Sequence, residues 1–499
     1  MGSANMGSAN KSIAKNTAIL MGSQLTTWTL TLLLTIFLPR YLGAEGIGKL
    51  QFATSLWMIV GMLIAFGTGT FLTKEIARTP QRTAELLGVV MVLRVLFFGV
   101  GYAAIVALLR WLDYPVVTIN VVCIIGISNL IDQFATACQA ALQGLEEMRI
   151  LSIGNIVGKA IDTTFGVILL LAGWGIYAIV ALLIVSTSVR LVIQLIYLNR
   201  LHRLRLTFRA TTLWRISTAG LPYLMSSIFL VGYLQMNVLI ISFLLNEEAI
   251  GWYSAADRLF NTLLFIPTVF MMAIFPVFSR MMISDGEQLQ RLMSKSFDTL
   301  LLLGVPVGLG LTVVAGPIVT FLFGPEFVNS GPILAVGGLA LICMYQNVLL
   351  GQYLISIDRQ NSWTVVMAVA TFVLIGLDLL LIPWSHARWS NGAIGAALAY
   401  GITELCMVIA GILLLPKGTL RRGNLWSAIR IFAAGGLMCA VAWGLSSLFI
   451  IVPIAAGAAV YLAMIFLLQV LPEEDYQLLL NAAQGFLQRQ NRATPETIG

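Results

Sequence analysis

Nine charged side chains stand where charge is costly. Four bases, Arg94, Lys159, Arg190 and Arg258, and five acids, Asp132, Asp162, Asp257, Asp378 and Glu404, lie inside long apolar runs. A lone charge at mid-bilayer costs roughly 2.5–3.5 kcal/mol on insertion scales, so each needs a partner, a wet cavity or a task. The bases suit anions: arginine grips phosphate through two parallel N–H bonds, and lysine offers a point charge. The acids suit cations or protons. Arg258 falls roughly 13 Å into its run, and Arg94, Lys159 and Arg190 roughly 12 Å from a run end, at about 1.5 Å per residue. Lys159 and Asp162 are three residues apart and can pair on one helix. Arg258 follows Asp257 directly, so the two point about 100° apart and need partners on other helices or across a cavity. Arg258, Arg94, Lys159, Arg190 and Asp257, with the uncharged Gln24 and Asn237, are the candidate binding residues. Asp162, Asp378 and Glu404 are candidates for ion coupling, with helix–helix hydrogen bonding as the alternative for the last two.

Other chemistries have little to work with. His202 and His386 are far apart, and none of the five cysteines sits in a CxxC or Cys/His pattern. The cysteines all fall in apolar runs and read as packing residues. No metal site, no catalytic residue and no cofactor site is expected.

The elements that must hold these charges are membrane helices. Hydrophobic residues make up 59% of the 499-residue chain and charged residues only 10%, against roughly 25% charged in soluble domains. Apolar stretches of bilayer length recur. They predict an all-α integral membrane protein with about fourteen spans, near 12–38, 47–72, 86–109, 115–142, 151–172, 174–198, 215–245, 249–278, 293–323, 329–357, 361–384, 392–415, 426–447 and 450–470. Polar residues crowd the first span (Asn16, Gln24, Thr26, Thr27, Thr29, Thr31, Thr35) and the seventh (Ser226, Ser227, Gln235, Asn237). These two helices suit a cavity wall, or threonine packing between helices.

Lys and Arg set the orientation. With both termini in the cytoplasm, 21 of the 29 basic residues fall in cytoplasmic loops, 4 in outer loops (Arg40, Lys49, Arg110, Arg388) and 4 inside spans. The net charge of +7 therefore reports topology, with no nucleic-acid partner implied. The basic stretch Asn199–Arg215 reads as a linker on anionic headgroups, with an anionic substrate or a partner enzyme as the sharper alternative. "MGSANMGSAN" is a five-residue unit written twice and reads as an appended tag, and no cleaved signal peptide is expected.

The chain repeats itself. "LGAEGIGKLQFATSL" (Leu42–Leu56) aligns with "LNEEAIGWYSAADRL" (Leu245–Leu259) at an offset of 203, which places Gly48 on Gly251. "GIYA" (Gly175–Ala178) aligns with "AIGA" (Ala393–Ala396) at 218. The domain plan is then a tag or tail at 1–11, a first six-helix lobe at 12–198, the linker 199–214, a parallel second lobe at 215–415, two added helices within 426–470 and a cytoplasmic amphipathic tail at 473–499.

These repeats, the fourteen spans and "LDLLLIPWSHARWSNGAIGAALAYGITEL" (Leu377–Leu405) resemble the polysaccharide-export flippases. These are the Wzx-type members of the multidrug/oligosaccharidyl-lipid/polysaccharide superfamily. The resemblance covers Lys11 to about Leu471. It implies a translocator that moves an undecaprenyl-diphosphate-linked oligosaccharide to the outer leaflet of a bacterial inner membrane, with no cofactor. It implies a cationic cavity between lobes, a tail groove by the last two spans, and membrane lipids and polysaccharide polymerase or export machinery as partners, the flippase itself acting as a monomer. Related lipid II flippases carry a functional arginine in an "ADRL" context, which Arg258 matches. Their cavity arginines in the first two spans have no match here, and Asn237 replaces an acidic residue that many relatives carry late in span seven. A Na⁺- or H⁺-coupled multidrug antiporter and a lipid II flippase remain as alternatives, although spans one and seven contain no Asp or Glu. A membrane enzyme lacks the sizeable hydrophilic loop it would need.

Overall fold

A computed structural model describes residues 2–202, 210–284 and 286–470. The centre of the basic linker, 203–209, and the amphipathic tail, 473–499, lie outside the described residues. Among those residues every regular element is a helix. The first half contains α1 (Gly2–Ala65), α2 (Thr68–Arg78), α3 (Thr83–Trp111), α4 (Val116–Gly144), α5 (Met148–Leu171) and α6 (Gly175–His202). The second contains α7 (Ala210–Leu244), α8 (Glu247–Leu263), α9 (Phe265–Ser284), α10 (Gly286–Phe323), α11 (Ser330–Ser356), α12 (Gln360–Trp389) and α13 (Ala393–Leu414). α14 (Arg422–Gly444) and α15 (Ile451–Leu467) follow.

Among the described residues, twelve segments are long and apolar enough to cross a bilayer. One of them, Met21–Ala65, is bent at Gly43 and supplies two crossings, and the shorter apolar α15 has 17 residues. Counted this way, the chain has the fourteen crossings its sequence predicts. The bend at Gly43 has φ +69° and ψ 176°, open to glycine and closed to residues with a Cβ.

Two predicted spans are interrupted. The second, expected to run through 72, stops at Ala65, and Gly67 in the left-handed region starts the short α2. α2 buries Leu72 and Ile76 and packs on α4. The eighth, expected as 249–278, breaks at Leu264 into α8 and α9. Pro267 causes this break: its ring clashes with the carbonyl four residues back, at Leu263, and it has no N–H to donate.

Helices α1 to α6 pack chiefly on one another, as do α7 to α13, and α14 and α15 lie against α10. In the first group the Trp57 indole donates to the Val122 carbonyl at 2.8 Å. The groups meet through α1 on α8 and α7, with α2 and α3 also touching α7. The α1–α8 crossing is symmetric. A Cβ at Gly48 would collide with the Glu247 carbonyl oxygen, and a Cβ at Gly251 with the Ala44 carbonyl oxygen. Both pairs are related by the repeat offset, so the repeated segment meets its own copy backbone to backbone. Around this crossing Lys49 pairs with Glu45 and lies 3.5 Å from Glu247, and Thr118 also bonds Glu247. Tyr114 donates to the Ser242 carbonyl at 3.3 Å.

Candidate functional site

Thr27, Thr31 and Thr35 are spaced by four and share one face of α1. The Thr31 hydroxyl donates to the Thr27 carbonyl (2.7 Å) and Thr35 to Thr31 (3.0 Å). Each hydroxyl proton is thus used on its own helix, and the oxygens stay available to whatever lies beside them. What lies beside them is a set of adjoining hollows. The largest, about 560 Å³, runs between α1 and the α8–α9 break. Trp28, Thr31, Thr35, Asp257, Arg258 and Asn261 line it, and Leu25 and Leu32 at its rim are about half exposed. A second, about 180 Å³, reaches into the first lobe and shares Thr31, Thr35 and Arg258. Lys159 and Asp162 stand on its wall. A third, about 400 Å³, continues from those two residues to Asp132, Asn155 and Arg190.

Five of the sequence-predicted residues therefore line three adjoining hollows: Arg258, Asp257, Lys159, Asp162 and Arg190. Their ion pairing is uneven. Arg190 forms an ion pair with Asp132 across α6 and α4. Lys159 and Asp162 face the same hollow but form no ion pair, contrary to the pairing their spacing allows. Arg258 has no ion pair among the described residues, and its Nε has no hydrogen-bond partner. Two cations thus face the cavity without a carboxylate bound to them. That is an arrangement for a visiting anion.

The remaining candidates lie elsewhere. Arg94 is buried at 1% exposure and lines none of these hollows. It bonds the Gln133 carbonyl, Thr136 (2.8 Å) and Thr68 (3.2 Å), so it ties α3 to α4 and α2. Gln24 is exposed on α1 and also lines none of them. Asn237 is buried in the second lobe, donating to the Tyr253 hydroxyl at 2.6 Å, and is likewise not part of the cavity wall. Glu404 is buried, accepting from Tyr233 (2.6 Å) and Asn347 (2.7 Å), the helix–helix bonding role given as its alternative. Asp378 is fully buried, and neither carboxylate oxygen has a hydrogen-bond partner. The Asn16 and Ser226 side chains lie outside the described residues.

Sequence reading passed over the neutral polar lining: Gln139, Asn155, Ser186 and Thr187 in the first lobe and Asn261 on α8. One signal was present. Ser186 and Arg190 are four residues apart on α6, and Gly158 and Asp162 are four apart on α5, which marks two facing stripes.

Comparison with known proteins adds the following. The family model described as polysaccharide biosynthesis protein matches residues 13–282. The chain is similar to the succinoglycan biosynthesis transport protein ExoT of Rhizobium meliloti (strain 1021), 26% identical over 267 residues. That match takes in 52% of this chain and 50% of ExoT, so the chain spans about half the length of that curated relative. The fold resembles the lipid II flippase MurJ in an inward closed conformation, with TM-score 0.66, 14% identity, 90% of this chain and 98% of that one. It also resembles an inward-facing multidrug resistance MATE family transporter of the MOP superfamily, with TM-score 0.63, 16% identity, 77% of this chain and 93% of that one.

Proposed function

We propose, for a chain that belongs to the polysaccharide biosynthesis protein family, that it is a flippase and not an enzyme. It carries a polyprenyl-diphosphate-linked oligosaccharide from the cytoplasmic to the outer leaflet of the inner membrane, by rocking one lobe against the other. The substrate is the lipid-linked sugar, the surroundings are membrane lipids, and the working unit is one chain. The observation that carries this reading is the pair Arg258 and Lys159, unpaired on the wall of a hollow between and within the lobes. An unpaired cation inside a membrane is costly unless it serves an anion. A diphosphate brings about two negative charges and oxygens that suit arginine's fork.

The Lys and Arg bias supports an orientation with both termini in the cytoplasm. The Gly48–Gly251 crossing then closes the outer end of the cavity, and outward release requires α1 and α8 to part there. The lobes of this mechanism are residues 12–198 and 215–415, joined by the linker 199–214. An apolar groove of about 330 Å³ between α10, α14 and α15, lined by Pro306, Leu311, Met438 and Pro453, suits the prenyl chain. With the inside negative, outward movement gains roughly 2.3 kcal/mol per charge per 100 mV, less whatever Arg258 and Lys159 neutralise.

The test is flux in proteoliposomes under an inside-negative potential. A labelled polyprenyl-diphosphate oligosaccharide is compared with a cationic dye. Movement of the lipid-linked sugar without the dye is expected. Dye movement that depends on Na⁺ or H⁺, with no lipid flux, would establish the antiporter reading instead. Selective movement of lipid II over other lipid-linked sugars would assign the chain to peptidoglycan precursors.

A further inference from the structure

The first-lobe hollow beyond Lys159 differs in chemistry from the cavity at Arg258. Its charges balance. Asp132 and Arg190 form an ion pair, and Lys159 and Asp162 contribute one charge of each sign. The rest of its lining is neutral and able to hydrogen bond: Thr27, Gln139, Asn155, Ser186 and Thr187, with Gly158 between them and no aromatic ring.

This lining is short of partners. Asn155 Oδ1, Asp162 Oδ1 and Arg190 Nε are each buried without a hydrogen bond. One turn beyond Arg190, Gln194 is fully buried, and neither its amide oxygen nor its nitrogen has a partner. Buried polar groups in folded proteins are nearly always bonded, so a cluster of orphans beside a hollow marks a place where something polar enters. A Cβ at Gly158 would meet the Ser186 carbonyl oxygen at 3.5 Å and the Arg190 side chain at 3.6 Å, ordinary van der Waals contact.

We infer that this hollow is the subsite for the sugar bonded directly to the diphosphate, and that it takes an uncharged sugar. The inference rests on the flippase reading. Lys159 and Asp162 line both this hollow and the one that holds Arg258. A diphosphate held between Arg258 and Lys159 therefore presents its first sugar to Asn155, Gln139 and the Asp132–Arg190 pair. A hexose offers hydroxyls that both donate and accept, which matches amide, hydroxyl, carboxylate and guanidinium groups together. A uronic acid would add an uncompensated negative charge to a hollow whose charges already balance, which is costly to bury. In the second lobe Glu404 accepts from both Tyr233 and Asn347, which fills the interior around it.

The test is binding and flux in reconstituted full-length protein with three probes: polyprenyl diphosphate bare, carrying one neutral hexose, and carrying one hexuronic acid. Wild type is expected to bind the neutral glycolipid about 10-fold more tightly than either other probe, the worth of roughly one good hydrogen-bonded contact. Asn155→Ala is expected to reduce that preference to about 3-fold or less and to leave the bare lipid unchanged. Arg258→Ala is expected to weaken all three. Should Asn155→Ala lose its thermal unfolding transition, Gln139→Ala is read in its place. Equal weakening of bare and glycosylated lipid by Asn155→Ala, or a wild-type preference for the uronic acid or for no sugar, would overturn the subsite and leave the hollow a water-filled vestibule. Binding of none of the three by wild type would overturn the flippase reading itself, and the subsite with it.

Discussion

The two lobes share a repeat and differ in what surrounds their buried polar groups, both lobes holding some without partners, Asp378 in the second among them. In the first, α1, α4, α5 and α6 leave a hollow beside Asn155, Asp162 and Arg190, each with an orphaned atom. In the second, the interior around Glu404 is filled. Tyr233 and Tyr400 rings lie 5.8 Å apart, Phe260 and Tyr400 6.1 Å apart, and Glu404 is bonded from both sides by Tyr233 and Asn347. The same architecture thus yields one lobe that receives and one that braces. Arg258 belongs to the bracing lobe but faces the receiving one, sharing a hollow with Lys159 and Asp162.

If the second lobe braces, its polar substitutions should cost stability before they cost transport. Glu404→Ala strands the Tyr233 hydroxyl and an Asn347 amide proton in the core. The expected loss is about 2–4 kcal/mol, seen as a lower thermal unfolding midpoint in detergent. An unchanged midpoint would mean that this core is wet and the contrast between lobes is wrong. Arg94 is the first lobe's own brace. Arg94→Ala leaves the Gln133 carbonyl and two threonine hydroxyls short of a donor and should destabilise by about 2–3 kcal/mol, while Kd for a lipid diphosphate stays within a factor of two. A selective fall in affinity at full stability would return Arg94 to the binding site.

The crossing between lobes sharpens the comparison further. Gly251→Val puts a branched side chain against the Ala44 carbonyl, so α1 and α8 must separate at about 1–3 kcal/mol. A cysteine introduced at Thr35 should then label from the outer side several-fold faster. Unchanged labelling would show that the crossing is not what seals that end.

Much of this was legible in the sequence. The apolar runs specified the crossings because a helix must span the bilayer unbroken by water. The nine intramembrane charges pointed to the cavity because charge in lipid is too expensive to be incidental, and six of them line its hollows. The misses share a cause. Arg94 reads like Lys159 until the neighbouring helices are known, since only they decide whether an arginine meets a carbonyl or open space. Asn155, Gln139 and Ser186 were passed over because a neutral polar residue in a span is usually packing. The breaks at Gly67 and Leu264 were hidden inside continuous hydrophobicity, although Gly67 and Pro267 were there to read. The Gly48–Gly251 match was visible as a repeat, and nothing one-dimensional could show that the copies touch.

The central claim is that Arg258 grips the diphosphate of a lipid-linked sugar from the wall of the first-lobe cavity. Its most direct test is the rate of labelled polyprenyl-diphosphate oligosaccharide flux in proteoliposomes, for wild type, Arg258→Lys and Arg258→Ala at equal reconstituted amounts. Losing charge-assisted bonds worth about 2–3 kcal/mol should slow Arg258→Ala by about 100-fold, with Arg258→Lys between, since it keeps the charge and loses the fork. Normal flux by Arg258→Ala would contradict the account.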